Sequence, residues 1–281
     1  MNLHRHQSIA EFLAAATPFL LRWEIEHGLM LSVAADAVRS LSTRGDPYWA
    51  VVLDGERVVA AALRTSLKML LSHEGEPGAM ALIAADAMQY APSAILGPAA
   101  AVDAFALASG ATWNPGRANR IYELRSVRPP AASAGAMRVA RAEDRATLVE
   151  WMLAFAMEAD GRSADAREIS SMISRRTDEG AMYLWEVDGT PAASAGAVGA
   201  TPHGIRITAV YTPASMRRRG YASSLVAALS QRMLDAGREF VFLYTDIANP
   251  TSNAIYQRIG YRPVADAREA VMGSLNHNSK P

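Results

Sequence analysis

The strongest constraint on the fold is the stretch from Ile205 to Ala222, in which an apolar segment leads through a basic loop into a helical pattern. Residues 205–211 alternate in polarity and are rich in β-branched side chains, which predicts a strand. Apolar residues then recur at helical spacing, at Leu225, Val226, Leu229 and Met233. The basic loop is therefore predicted to end at the N-terminus of a helix.

The composition of this loop favours anion binding. The first backbone N–H groups of a helix lack partners, and they lie at the positive end of the helix dipole. Gly220 permits a positive φ angle or a close backbone approach, and Ala222 is small enough for the first turn to lie against a ligand. Arg217, Arg218 and Arg219 add positive charge. The loop is predicted to hold phosphate groups, and a solvated, arginine-rich helix start is the alternative.

The residues that follow extend this unit into a β-α-β crossover. Gly237 is suited to the position just after a helix, and residues 240–244 form a short apolar run that predicts a strand buried on both faces. Residues 249–259 then predict a short helix that stops at Gly260.

Two motifs in this region resemble those of the GCN5-related N-acetyltransferases, the GNAT superfamily. The spacing Arg217-x-x-Gly220-x-Ala222 matches the family's R/Q-x-x-G-x-G/A loop. The segment from Asn249 to Tyr261 resembles, with one offset, the family's N-x-x-A-x-x-x-Y-x-x-x-G-F/Y ending. The resemblance covers roughly residues 137 to 273 and implies an α/β fold with a mixed sheet.

The length of 281 residues suggests two domains. Residues 128–136 contain only small residues and prolines after the opening arginine, which predicts a linker between domains at 1–127 and 137–281. Each half contains an Asp-Gly pair between strand-like runs, at residues 54–55 and 188–189, and this pair is typical of tight hairpins.

The order of elements in the first half repeats that of the second half. The prediction is two tandem GNAT-like domains, with a degenerate first copy that resembles tandem proteins of the FR47-like and glycine N-acyltransferase-like groups. In the first half, the position of the phosphate loop is taken by residues 72–78, where the carboxylates of Glu74 and Glu76 would repel phosphate. An unrelated α/β domain is the alternative for this half.

The bulk properties exclude several classes of function. Lys plus Arg equals Asp plus Glu at 28 each, so no global field favours nucleic acid. The chain has no cysteine, which excludes disulfides and thiolate metal sites and is consistent with the cytoplasm. No metal site is predicted. The apolar stretch at residues 12–21 resembles a signal peptide, but Pro18 interrupts it and acidic residues flank it, so neither secretion nor membrane insertion is expected.

The resemblance implies acyl transfer from a CoA thioester, with acetyl-CoA as cosubstrate and no metal. The residues that would bind it are taken over from the matching motif positions: Val210, Tyr211, Thr212, Arg217, Arg218, Arg219, Gly220, Tyr221, Ala222, Ser223, Asn249, Asn253 and Tyr256. Backbone amides of Val210 and Thr212 would face the pantetheine arm and the thioester. Asn249 has the alternative role of a turn residue before Pro250.

Tyr256 occupies the family's general-acid position, from which a phenol can protonate the leaving thiolate. A packed aromatic ring is its alternative role. The strand before the loop has no carboxylate to serve as the general base, so Glu158, Asp246 and His203 are the remaining candidates, together with water. Glu158 could equally be a solvated helix residue.

The predicted function is transfer of an acetyl or other acyl group to a primary amine of a small molecule or amino acid, by direct attack in a ternary complex. A non-catalytic acyl-CoA sensor and an enzyme that acetylates protein amines are the alternatives. The acceptor is expected to contact the loop at residues 161–163. The protein is expected to be a monomer or a homodimer without a nucleic-acid partner.

Overall fold

The structure is a computed structural model that describes residues 1–39, 46–64, 68–160 and 164–273. In the first 124 residues the strands are β1 (Asn2–Arg5), β2 (Tyr48–Asp54), β3 (Arg57–Arg64), β4 (Lys68–Leu71), β5 (Ala94–Pro98) and β6 (Trp113–Leu124). The helices are α1 (Ile9–Leu20), α2 (Gly28–Arg39), α3 (Ala79–Ala87) and α4 (Ala99–Ser109).

The remainder of the chain repeats this order. Its strands are β7 (Ala136–Val139), β8 (Met182–Val187), β9 (Thr190–Val198), β10 (Gly204–Tyr211), β11 (Phe240–Asp246) and β12 (Arg262–Met272). Its helices are α5 (Arg145–Asp160), α6 (Ala166–Asp178), α7 (Tyr221–Asp235) and α8 (Pro250–Ile259). These bounds confirm the predicted hairpins, the β10-α7-β11 unit and the short helix before Gly260.

Contacts divide the chain into two compact units, and the units are not contiguous in sequence. Among the described residues, the first comprises those within 1–121, 245–248 and 264–273, and the second comprises those within 122–244 and 249–263. The last strand belongs to the first unit because β12 pairs antiparallel with β5, with Ala267 opposite Pro98. The predicted linker contains one strand residue, since Ala136 begins β7.

The first unit is a sheet with helices on both faces. Its strands lie in the order β1-β2-β3-β4-β5-β12, and each pair is antiparallel except β4 with β5, which is parallel. One core lies under α3 and α4, around Met80, Ile83 and Phe105. The other lies under α1 and α2, around Phe12 and Leu20.

The second unit has the same strand plan. Its strands lie in the order β7-β8-β9-β10-β11. Neighbouring strands are antiparallel except β10 and β11, which are parallel and are connected by α7. Leu225 and Leu229 of α7 are fully buried in one core, and Leu148 of α5 and Ile173 of α6 are buried in the other. The apolar residues at helical spacing in α7 are those that the sequence predicted to face a core.

Among the described residues, no helix is both long and apolar enough to span a membrane.

Candidate active site

The basic loop ends at an open helix N-terminus in the second unit. Gly220 precedes α7 in the left-handed region, at φ 84° and ψ −4°, and no side chain caps the helix. Ser224 N–H donates to the Gly220 carbonyl, which leaves the first-turn amides directed out of the helix. Arg218 also has a positive φ, 64°, which is strained for a residue with a Cβ. The amides and the dipole together form an anion site.

A cavity of about 670 Å³ runs from this helix start along the end of β10 to α8 and α5, within the second unit. Most of the residues that the motifs predicted line it: Val210, Tyr211, Thr212, Arg217, Arg218, Gly220, Tyr221, Ala222, Ser223, Asn249 and Tyr256. The candidate base Glu158 lines it as well. Arg219 and Asn253 are not among its lining residues. The loop at residues 161–163, predicted to contact the acceptor, lies outside the described residues.

Strand β10 separates from its parallel neighbour beside this cavity. Its register with β11 runs from Gly204 to Ile207, and the β10 residues after Ile207 extend past the paired segment. A register shift against β9 falls between Thr208 and Tyr211, where Ala209 takes a φ of 53°. The bulge distorts the end of β10, where Val210 and Thr212 line the cavity.

Tyr256 lies on α8 with a buried ring, and its side chain lines the cavity. Among the described residues, none hydrogen-bonds to its hydroxyl. Burial raises the pKa of Tyr256 to about 12, so the phenol stays protonated at physiological pH. The result is a protonated, buried hydroxyl that can donate a hydrogen bond.

The two asparagines near α8 have structural roles. The Asn249 side chain caps α8 by accepting from Ser252 N–H at 3.0 Å, so the turn-residue alternative is correct for this side chain. The Asn253 amide donates to the Asn249 carbonyl at 2.7 Å, and its oxygen accepts from the Tyr122 hydroxyl at 3.0 Å. Contact of the Asn253 side chain with a pantetheine arm is therefore not favoured.

Glu158 is bound to Arg217. One terminal nitrogen of Arg217, Nη2, lies 2.8 and 2.7 Å from the two Glu158 oxygens, and Arg217 Nε donates to the Thr212 carbonyl at 2.8 Å. The Tyr211 hydroxyl donates to Glu158 at 3.1 Å. Burial and this hydrogen bond raise the pKa of Tyr211, so the hydroxyl keeps its proton. Both Glu158 oxygens are already engaged as acceptors, which weakens the prediction that Glu158 is a general base.

The other two base candidates lie outside the cavity lining. Asp246 accepts from Ala248 N–H at 2.8 Å, and the His203 carbonyl accepts from Glu239 N–H. Sequence reasoning did not identify the apolar wall of the cavity or the arginine beside it, because these residues are not part of the motifs. They are Phe155, Met216, Val226, Ile255 and Arg258. Residues 251, 252, 255 and 258 are three or four apart on α8, and this spacing was a signal that they share the face of the helix that lines the cavity.

The corresponding loop of the first unit is closed by its own side chains. Gly78 precedes α3 at φ 88° and ψ −4°, nearly the conformation of Gly220. Here the Glu74 carboxylate accepts from Met80 N–H in the first turn at 2.9 Å, and Glu76 forms an ion pair with Arg57. A carboxylate of the protein thus occupies the place that an anionic ligand would take.

Comparison with known proteins supports the assignment of the fold. Residues 145–261 match the model of the Acetyltransferase (GNAT) family. No curated protein matches the sequence. The chain is similar in structure to a GNAT-family acetyltransferase from Colwellia psychrerythraea, with a TM-score of 0.61 and 11% identity. It is also similar to a GCN5-related N-acetyltransferase from Sphaerobacter thermophilus, with a TM-score of 0.62 and 17% identity. The first comparison covers 97% of this chain and 100% of that chain, and the second covers 95% and 94%.

A tandem GNAT protein from the clavulanic acid biosynthesis pathway is also similar, with a TM-score of 0.58 and 14% identity over 96% of this chain and 97% of that chain. At such identities these structures show the fold alone. The predicted α/β fold and the resemblance are confirmed. Residues 145–261 form a domain of the acetyltransferase (GNAT) family, in a chain that has the tandem GNAT fold.

Proposed function

We propose that the protein transfers an acetyl group from acetyl-CoA to a primary amine of a small molecule or amino acid. One observation carries the proposal: a single cavity joins an uncapped helix start to a buried tyrosine hydroxyl that has no partner among the described residues. The family and the fold support acyl transfer in general. A reaction of this kind needs an anion site and an acid within one cleft.

The cosubstrate fits the residues of this cavity. The amides of Tyr221, Ala222 and Ser223 would hold the pyrophosphate, and Arg218 and Arg258 add charge at the same wall. A Cβ placed on Gly220 would lie 3.6 Å from Ser133, so the cradle requires glycine for its backbone angle rather than for space. The pantetheine arm would lie along the end of β10, where the strand has parted from β11.

Acetyl-CoA supplies the acetyl group as a thioester, and the new C–N bond forms as the C–S bond breaks. The amide of Val210 or Thr212 would stabilise the negative charge that develops on the carbonyl oxygen. Tyr256 would donate its proton to the departing sulfur and regain one from water, and the neutral amine would lose one proton to water as the C–N bond forms. Because burial raises the pKa of Tyr256 to about 12, this transfer depends on a thiolate that is also poorly hydrated in the same cleft.

The test is calorimetric titration of the full chain with acetyl-CoA, followed by an amine panel monitored by release of free CoA. We expect one site per chain and turnover of at least one small amine. Lack of binding at millimolar acetyl-CoA would refute the proposal. Robust acetylation of a folded protein without turnover of small amines would instead assign the activity to protein amines.

An acyl-CoA sensor without catalysis is the second candidate. The engagement of both Glu158 oxygens, with no carboxylate on β10, favours it. Under this alternative acetyl-CoA binds and no amine is acetylated.

We also propose a cytoplasmic location, supported by the absence of cysteine, and a monomer or homodimer that binds no nucleic acid.

A further inference from the structure

An exposed ion pair lies at one end of the proposed active site. Arg217 and Glu158 both line the cavity, and their side chains are 42% and 49% exposed. The Arg217 guanidinium lies 5.7 Å from the centre of the Tyr211 ring. Such an exposed pair contributes little to folding, so structural need is a weak reason for its presence.

Arg217 is directed away from the helix start to which its loop leads. Its Nε is bound to the Thr212 carbonyl, and its Nη2 is bound to Glu158. Among the described residues, none hydrogen-bonds to its second terminal nitrogen, Nη1. The first arginine of the basic loop therefore serves the β10 end of the cavity, while Arg218 and the α7 amides remain for phosphate.

The surroundings of the pair limit which ligand it can bind. Phe155 and Met216 contribute apolar surface beside it. A ligand with only a positive charge would be opposed by Arg217, and one with only a negative charge would be opposed by Glu158. A ligand that carries both charges within a few bonds satisfies both side chains. The remaining terminal nitrogen of Arg217, Nη1, can donate a charge-assisted hydrogen bond to a carboxylate.

We propose that the Glu158–Arg217 pair recognises the acceptor, and that the acceptor is a zwitterionic amino acid whose carboxylate binds Arg217 while its amino group lies at Glu158. This inference rests on the proposed function. Glu158 is then a positioning residue: it holds the ammonium group near the end of β10, and water takes one proton from it before attack and a second as the C–N bond forms. The bond changes are those of the acetyl transfer described above.

The test uses calorimetry on the full chain saturated with CoA. The probes are the twenty standard amino acids, each compared with its carboxamide and with the amine left by decarboxylation. We expect at least one amino acid to bind at least tenfold more tightly than both derivatives. Arg217→Gln should remove that preference.

Two further variants separate recognition from folding. Glu158→Gln keeps the size of the side chain and an acceptor for Tyr211, and we expect it to raise KM for the amino acid about tenfold with little change in KM for acetyl-CoA. Arg167→Gln removes an exposed arginine from the start of α6 and should change neither value. Thermal melts of all three variants should lie close to that of the wild type.

The inference is overturned if the carboxamides and amines bind as well as the amino acids, or if Arg217→Gln leaves amino-acid affinity unchanged. It is also overturned if amines without a carboxylate are acetylated while no amino acid binds. In all three cases the proposed acetyltransferase stands. Failure to bind acetyl-CoA would instead remove the proposed function and this inference with it.

Discussion

Two helix starts in this chain have nearly the same backbone and opposite surroundings. Gly78 before α3 and Gly220 before α7 share a left-handed conformation within 4° in φ, at 88° and 84°. At α3 a carboxylate from Glu74 binds the first-turn amide of Met80, whereas α7 has no capping side chain and opens into a cavity. The backbone therefore offers an anion site twice, and side chains decide whether a ligand can use it.

Tyr256→Phe should give the largest effect. We expect kcat to fall at least about 100-fold, because the proposed general acid is lost, with little change in acetyl-CoA affinity. Stopped-time assays of CoA release and calorimetry measure the two quantities. Tyr261→Phe is the matched control: Tyr261 is buried beside Tyr256, but its hydroxyl bonds to Ser230 at 2.7 Å. Equal loss of kcat in both variants would refute a role for Tyr256 in proton transfer.

Acidification should weaken the first unit through His27, which lies close to the closed loop. His27 Nδ1 donates to the Leu20 carbonyl at 2.9 Å, and Nε2 accepts from His73 N–H at 3.0 Å, so its contacts require the neutral ring. Burial lowers the pKa of His27 to about 4. The unfolded chain, with an ordinary histidine pKa near 6.5, then binds the proton more readily.

The free energy of unfolding should therefore be intact above about pH 6.5 and fall by about 2 to 3 kcal/mol as the pH drops toward 4. Urea titrations at several pH values measure this loss. His27→Gln retains a donor and an acceptor, and it should flatten the pH dependence between those limits. An unchanged slope in that variant would assign the acid sensitivity to other groups.

Matched glycine substitutions test the comparison directly. Gly78→Ala and Gly220→Ala should each cost about 1 kcal/mol of stability, because both residues have a positive φ and an added Cβ meets only ordinary contacts. Gly220→Ala should also weaken acetyl-CoA binding about tenfold by shifting the amides, whereas Gly78→Ala should leave it unchanged. Chemical denaturation and calorimetry give the two values. Weaker binding in Gly78→Ala would show that the first helix start also takes part.

Glu74→Ala should have the smallest effect. Loss of the capping carboxylate should cost about 1 kcal/mol, and the stoichiometry of acetyl-CoA binding should remain one per chain. Calorimetric titration with acetyl-CoA gives the stoichiometry. A second site in this variant would mean that the first unit is only blocked by Glu74 and otherwise competent. That result would overturn the prediction that the first half is degenerate.

Local signals predicted the elements of both halves well. The Asp-Gly turns, the glycines after α7 and α8, and the periodic apolar residues of α7 all act through nearest neighbours along the chain, and the observed bounds agree with them. Sequence reasoning was weaker on side chains. It named Arg217 and Asn253 as cofactor-binding residues, which stays a prediction, and it did not foresee their protein partners Glu158 and Tyr122, which lie far away in the chain.

The sequence by itself determined the strand-loop-helix unit from Ile205 to Asp235, its anion-binding backbone and the position of Tyr256 on the following helix. Spacing and glycine conformation suffice for these features because they are local. Only the tertiary structure decided that Glu158 binds Arg217, that Glu74 closes the first helix start, and that β12 pairs with β5. The Glu158–Arg217 and β12–β5 contacts join residues far apart in the chain, and the sequence marked Glu74 as a charge in the loop without showing which amide it binds.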